Sequence, residues 1–109
     1  MQVEQTATIK ADGTATVEMG PTSYTESWET SIVGVLCTPL APATTLTNIP
    51  SARIYANNVF VGGTYSGDQD SDTSMSVTIQ SGQKIRAEWK GGDVGATVTL
   101  TVTGEKVIG

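Results

Sequence analysis

Three short runs of alternating apolar and polar residues constrain the fold of this chain more than any other feature. They follow an acidic segment at 67–72 and occupy residues 74–79, 84–90 and 96–103. Because successive side chains of a strand point to opposite faces, each run predicts a half-buried antiparallel strand. The predicted apolar faces of the last two runs are Ile85, Ala87 and Trp89, and Ala96, Val98, Leu100 and Val102.

Two hairpins are predicted from turn chemistry. Alternating runs at 3–10 and 15–19 flank Asp12-Gly13, and glycine tolerates the positive φ of a tight hairpin turn. The second hairpin turns at Asn57-Asn58, since asparagine accepts left-handed backbone.

A long strand is predicted from Glu26 to Cys37. Trp28, Thr30 and Ile32 are expected on one of its faces, with Gly34 as a candidate bulge. The stretch 32–37 is apolar on both faces, as in a central strand or one covered by a neighbouring subunit.

Composition supports one all-β domain. The chain has 109 residues, of which 38% are hydrophobic and 16% charged, and no window shows helical periodicity. We expect a single antiparallel β-sandwich or barrel over 1–109, with about seven or eight short strands in an Ig-like or jelly-roll-like arrangement. Residues 1–2 and 105–109 are candidate docking tails.

The net charge and the first residues of the chain indicate which partners and which cell compartment to expect. The net charge is −5, and the six basic residues are scattered from Lys10 to Lys106, so we expect no nucleic-acid or polybasic membrane contact. Met1–Gln5 lacks the basic and apolar regions of a signal peptide, and the run 32–37 is too short to span a bilayer. With Cys37 as the single cysteine, the sequence indicates folding in a reducing cytoplasm without disulfides.

The sequence predicts no enzyme. There is no histidine, so Cys37 lacks the usual base and no Ser-His-Asp triad can form. No glycine-rich phosphate loop is present, and we place no catalytic residue and no cofactor.

The acidic segment resembles the start of a calcium loop, because Asp68, Asp70 and Asp72 stand at alternate positions. Thr73 and Ile79 occupy the positions where an EF-hand has glycine and glutamate. We therefore predict no metal site and keep the three aspartates only as candidates; the alternative is a solvated loop or a charged intersubunit contact.

The two tryptophans lie in alternating runs and are expected in the core. The alternative is a carbohydrate-binding module that contacts a host surface, with sugars stacked on Trp28, Tyr65 or Trp89.

The order of turn and aromatic residues resembles that of small β-rich virion structural proteins of tailed phages that infect actinobacteria. The residues that carry this resemblance are Gly20-Pro21, Trp28, Arg53-Ile54-Tyr55, Gly63-Thr64-Tyr65-Ser66-Gly67-Asp68 with Asp70, Ser81-Gly82, Trp89, Gly91-Gly92-Asp93 with Gly95, and Thr103-Gly104.

The resemblance implies a virion component without a catalytic site. Within that class we expect a capsid decoration protein, assembled in the host cytoplasm, that binds the outside of the major capsid protein lattice. A tail or head–tail accessory role is the alternative, and a trimer, dimer or monomer would each fit. The apolar residues expected at the partner interface are Val33, Val35, Leu36, Leu40 and Leu46.

Overall fold

A computed structural model describes residues 1–38, 48, 50–66, 71–74 and 76–108, with the backbone alone at 62–66 and 71–74. Nine strands form in this part of the chain. They are β1 (Gln2–Thr8), β2 (Thr14–Met19), β3 (Glu26–Thr38), β4 (Ser51–Ala56), β5 (Val59–Ser66), β6 (Ser71–Ser74), β7 (Thr78–Ile79), β8 (Ile85–Lys90) and β9 (Thr97–Ile108).

The strands form two antiparallel sheets. Sheet A has the order β1-β9-β3-β6, and the two-residue β7 pairs with β3 further along the same edge. Sheet B has the order β2-β8-β4-β5. The predicted all-β sandwich is therefore confirmed, with four strand positions in each layer. The chain crosses between the layers at every connection except β4–β5 and β6–β7, and this strand order is that of a jelly roll.

The core lies between the two sheets, where their inward faces meet. Sheet B contributes Ile85, Ala87 and Trp89 from β8, and sheet A contributes Val98, Leu100 and Val102 from β9, beside Ala96. All seven are buried, as the alternation predicted. Val33, Val35 and Cys37 of β3 fill the same layer.

The predicted hairpin at Asp12-Gly13 is wrong. A tight turn does form there, with Gly13 at φ 81°, but β1 pairs with β9 and β2 with β8, in different sheets. The turn is held by the connection that follows β8, because Gly91 N–H donates to Gly13 O at 2.9 Å and Gly95 N–H donates to Ile9 O at 2.9 Å. It carries the chain from one layer to the other.

The long strand β3 contains a bulge, at Ser31 and not at Gly34. Thr30 pairs with Gly104 and Ile32 with Thr103, so Ser31 is the extra residue. The bulge shifts the alternation by one. Trp28 and Thr30 stay inward, but Ile32 points outward and is 40% exposed, which corrects its predicted face.

The second predicted hairpin is confirmed. Strands β4 and β5 pair through Asn57-Asn58, which take φ values of 50° and 65°. Two consecutive residues with positive φ define the turn type that matches the twist of a two-residue hairpin.

Both ends of the described chain belong to sheet A. The amino group of Met1 donates to Gly104 O at 2.6 Å, and residues 105–108 pair with 26–29 of β3. Of the candidate docking tails, Gln2 and residues 105–108 are thus paired strand residues, Met1 is hydrogen-bonded to Gly104, and Gly109 lies outside the described residues. Within the described ranges, no helix has the length and hydropathy needed to cross a membrane.

Candidate functional site

The outer face of sheet B, called the B face below, combines charge, aromatic rings and an open surface. Along β2, β4 and β8 its residues alternate with core residues. They are Thr14, Thr16 and Glu18 of β2, Arg86, Glu88 and Lys90 of β8, Ser51, Arg53 and Tyr55 of β4, and Phe60 of β5. A shallow depression of 430 Å³ lies over β2, β8 and β4, between Thr14, Arg53, Tyr55 and Lys90.

The B face concentrates the basic residues of an acidic protein. Among the described side chains it carries Arg53, Arg86 and Lys90, three of the six basic residues, but only Glu18 and Glu88 of the eight acidic ones. Three cations against two anions give these residues a charge of +1, while the other described side chains, three basic and six acidic, carry −3. The fold has gathered cations that look scattered along the sequence.

Arg86 is fixed in the middle of the B face by several groups. Its Nε donates to Glu88 Oε2 at 2.7 Å, and its Nη1 donates to Asn58 Oδ1 at 2.7 Å. Glu18 Oε2 lies 4.0 Å from the same Nη1. The guanidinium also lies 4.7 Å from the Tyr55 ring centroid, which is a cation–π contact. Arg86 is therefore paired with both carboxylates of the face.

Arg53 and Lys90 have no such carboxylate partners among the described side chains. Arg53 pairs in register with Glu88, yet its guanidinium lies 5.8 Å from the ring centroid of Phe60. Phe60 in turn packs on Tyr55, with a centroid distance of 5.6 Å and an interplanar angle of 57°. Among the described residues, neither Arg53 nor Lys90 forms an ion pair. These two cations are therefore not held by any carboxylate that the structure describes.

The edge of sheet B next to this face is apolar. Val59, Phe60 and Val61 of β5 are 62%, 52% and 36% exposed. Sheet edges usually carry charges that prevent pairing with other chains, as Glu4 does in β1, Glu18 in β2 and Asp72 in β6. Strand β5 has the sequence VFVGGTYS, without charge or proline. In the part of the chain that the structure describes, no strand pairs with its outer edge, and its pairing with β4 is interrupted by two register shifts.

The residues predicted for the partner interface do not belong to the B face where the structure describes them. Val33 and Val35 are fully buried in the sandwich, so a partner that docks on the folded domain does not reach them. Leu36 points to the outer face of sheet A and is half-buried. Leu40 and Leu46 lie outside the described residues.

The two tryptophans are buried, as predicted for core residues. Trp28 Nε1 donates to Glu26 Oε1 at 2.7 Å. Trp89 Nε1 has no hydrogen-bond partner among the described residues. Tyr65, the third ring of the sugar-stacking alternative, lies in β5, where only the backbone is described.

The candidate nucleophile and metal ligands form no site in the described chain. Cys37 is buried, and its pKa is raised by desolvation and secondarily by the charge of Asp93, so the neutral thiol is favoured. Asp68 and Asp70 lie outside the described residues, and of Asp72 only the backbone is described. Among the side chains that the structure describes, no three acidic, cysteine or histidine groups gather to hold a metal ion.

The sequence prediction missed the residues of the B face. Arg86, Glu88 and Lys90 alternate with the buried Ile85, Ala87 and Trp89, which was a signal that they share an outer face. Nothing in the sequence placed Arg53 beside them, because β4 and β8 are neighbours only through the sheet order.

No protein-family model and no curated protein sequence matches the chain. Solved structures give distant likenesses. One is the dimeric latent PorU from Porphyromonas gingivalis, with a TM-score of 0.43 and 10% identity over 91% of this chain. Another is the GH26-CBM35 β-(1,4)-mannanase of Podospora anserina, with a TM-score of 0.44 and 11% identity over 94% of this chain. A third is infectious bursal disease virus, Gx strain, with a TM-score of 0.35 and 15% identity over the whole chain.

The matched part of those three proteins is small. This chain spans 11% of the PorU chain, 28% of the mannanase chain and 32% of the viral chain. With TM-scores below 0.5, these likenesses carry no argument about activity, ligand or partner.

Proposed function

We propose that this protein is a non-enzymatic structural component of a phage virion, and more specifically a capsid decoration protein that binds the outside of the major capsid protein lattice. The observation that carries the proposal is the uncharged, apolar edge of β5. A small acidic domain with an open strand edge is suited to docking on another protein, and the resemblance of its turn and aromatic residues to small virion proteins supplies the partner.

The mechanism is β-strand addition. An extended segment of the capsid protein pairs with the free backbone N–H and C=O groups of β5, and its side chains cover Val59, Phe60 and Val61. A stable contact of this kind buries about 1,000 Å² or more in total. Because the domain binds only the assembled lattice, its binding stabilises the shell by mass action at every occupied position.

Carbohydrate binding receives less support from the side chains. The alternative relied on three rings, and two of them, Trp28 and Trp89, are buried in the core. A sugar that stacks on either ring would have to open the sandwich.

The proposal is tested by locating the protein in purified virions and by rebinding it to particles from which it has been stripped. Imaged particles are expected to show one small β domain on the outer capsid surface at regular lattice positions. Phe60→Ser is expected to lower occupancy and the temperature at which the shell opens. The matched control is Tyr24→Ser, which removes a ring that is 89% exposed in the β2–β3 connection.

Three results would contradict the proposal. Virions that lack the polypeptide exclude a virion role. Density at the tail or the head–tail junction would assign it to the accessory class instead. Equal occupancy of the Phe60→Ser and Tyr24→Ser variants would mean that β5 is not the docking edge.

A further inference from the structure

The B face carries more basic than acidic residues among its described side chains. Glu18 and Glu88 are both engaged by Arg86, which is itself fixed by Asn58 and Tyr55. The cations left over are Arg53 and Lys90, neither of which has an ion-pair partner among the described residues. Their strands, β4 and β8, are neighbours, and both side chains border the 430 Å³ depression.

Arg53, one of these two basic residues, lies beside the β5 edge of sheet B. Arg53 is on β4, the strand that pairs with β5, and its guanidinium lies over Phe60. Neighbouring strands are about 4.8 Å apart, so a strand added to β5 lies about two strand spacings from β4. An arginine side chain extends far enough to cross much of that gap. A partner chain that continues over the B face next meets Lys90.

From this arrangement we propose that the partner segment that docks along β5 is acidic. Arg53 binds carboxylates of the residues next to β5, Phe60 packs against their apolar neighbours, and Lys90, on β8 two strands further in, binds a carboxylate where the segment continues over the B face. The proposal rests on the proposed docking function and specifies the chemistry of the partner. Charge complementarity supports it, because the described residues of the B face carry +1 while the other described side chains carry −3. Guanidinium and ammonium groups bind carboxylates by charge-assisted hydrogen bonds.

The first test uses a defined peptide and needs no virion. The ¹⁵N-labelled protein is titrated with a blocked (Glu-Val)₄ peptide and with the uncharged (Gln-Val)₄ peptide. We expect the glutamate peptide to shift the amide signals of β4, β5 and β8, and the shifts to weaken as salt is raised. The Arg53→Gln/Lys90→Gln variant is expected to bind it roughly fivefold more weakly or worse.

The matched control is Lys10→Gln/Lys84→Gln, which changes the net charge equally but removes cations that do not belong to the B face. The four substituted side chains are exposed. Both variants are therefore expected to fold, and their amide spectra will check this. Equal binding by the two variants, or equal binding of both peptides, overturns the proposal. Concentration-dependent self-association through the B face overturns it too, since the occupant would then be a second copy.

The second test separates this inference from the proposed function. The two double variants are rebound to stripped particles, and the salt concentration that releases each is measured. If both variants are released at the same salt concentration as the wild-type protein, and the protein is found on the capsid, the proposal of an acidic partner is wrong and the decoration role stands. If the peptide binds the B face but virions lack the protein, the decoration role is wrong and the acidic ligand stands.

Discussion

Asp12 fixes the turn that carries the chain from sheet A to sheet B. Its Oδ1 accepts a hydrogen bond of 2.6 Å from the Thr14 hydroxyl and one of 3.0 Å from the Thr14 backbone N–H. The hydroxyl, and next the backbone N–H, lower the pKa of Asp12 from its ordinary 3.8. Because the folded pKa is the lower one, the stabilisation is present above the unfolded pKa and is lost as the pH falls through the folded value.

We therefore expect Thr14→Val to raise the pKa of Asp12 towards 3.8, since valine keeps the branched shape but cannot donate a hydrogen bond. The carboxyl carbon of Asp12, followed by NMR through the acid range, measures the change. Thr16→Val on the same strand is the control and is expected to leave the titration where it was. An unchanged midpoint in Thr14→Val would show that the hydroxyl does not act on this carboxylate.

At the scale of elements, the bulge in β3 depends on a glycine in the neighbouring strand. Gly104 of β9 pairs with Thr30 just before the bulge, and a Cβ built there would lie 2.1 Å from Glu29 O and 2.8 Å from Thr30 Cα. Both are backbone atoms, so no side-chain rotation relieves the clash. The start of β1 also approaches closely, because Gly104 N–H donates to Met1 O at 3.0 Å.

Gly104→Ala is expected to destabilise the domain by about 1–3 kcal/mol or more, because β3 and β9 must separate to admit the methyl group. Urea denaturation should show a lower midpoint. Thr97→Ala changes an exposed residue of the same strand and is expected to stay within about 0.5 kcal/mol of the parent. A Gly104→Ala midpoint equal to that of Thr97→Ala would mean that the strands have room for a side chain here.

The sequence determines the faces of strands better than it determines their partners. The buried sides of β8 and β9 were predictable because alternation is a property of each run alone, and the β4–β5 hairpin because Asn57-Asn58 is a local signal. The pairing of β1 with β9 was not, since an alternating run fits any neighbour with a matching face. The bulge at Ser31 lacks a glycine or proline that would mark it, so the outward face of Ile32 was also unpredictable.

The B face was unpredictable for the same reason. Arg86 and Lys90 belong to one run, so their common face follows from spacing. Arg53 joins them only because β4 lies next to β8, and Phe60 only because β5 lies next to β4. A surface made of several strands is visible in the sequence only once the strand order is known.

In the whole molecule, the net charge opposes association between copies, whereas the uncharged edge of β5 favours it. At neutral pH the charge of −5 keeps copies apart, but near the isoelectric point of about 4.4 this repulsion vanishes. Strand β5 offers an uncharged edge for pairing between copies. Association through β5 is therefore expected to appear as the pH approaches 4.4.

Val61→Lys should suppress that association, because a charged side chain on an edge strand opposes pairing with a second edge. Light scattering at pH 4.4 and at pH 7 measures the difference. Val94→Lys adds the same charge at an exposed position between β8 and β9 and is expected to protect much less. Equal protection by both variants would assign the effect to net charge and not to the edge.

The central place of β9 in sheet A also has a consequence for biosynthesis. This strand, Thr97–Ile108, pairs with β1 on one side and with β3 on the other. While the ribosome is still adding the residues before it, β1 has no neighbour in its own layer among the described strands, and β3 is the only long strand of sheet A that can cover the inner side of sheet B. The domain must therefore wait for its last strand to emerge, and it is expected to close afterwards in one slow step of milliseconds to seconds, as is common where distant segments must pair.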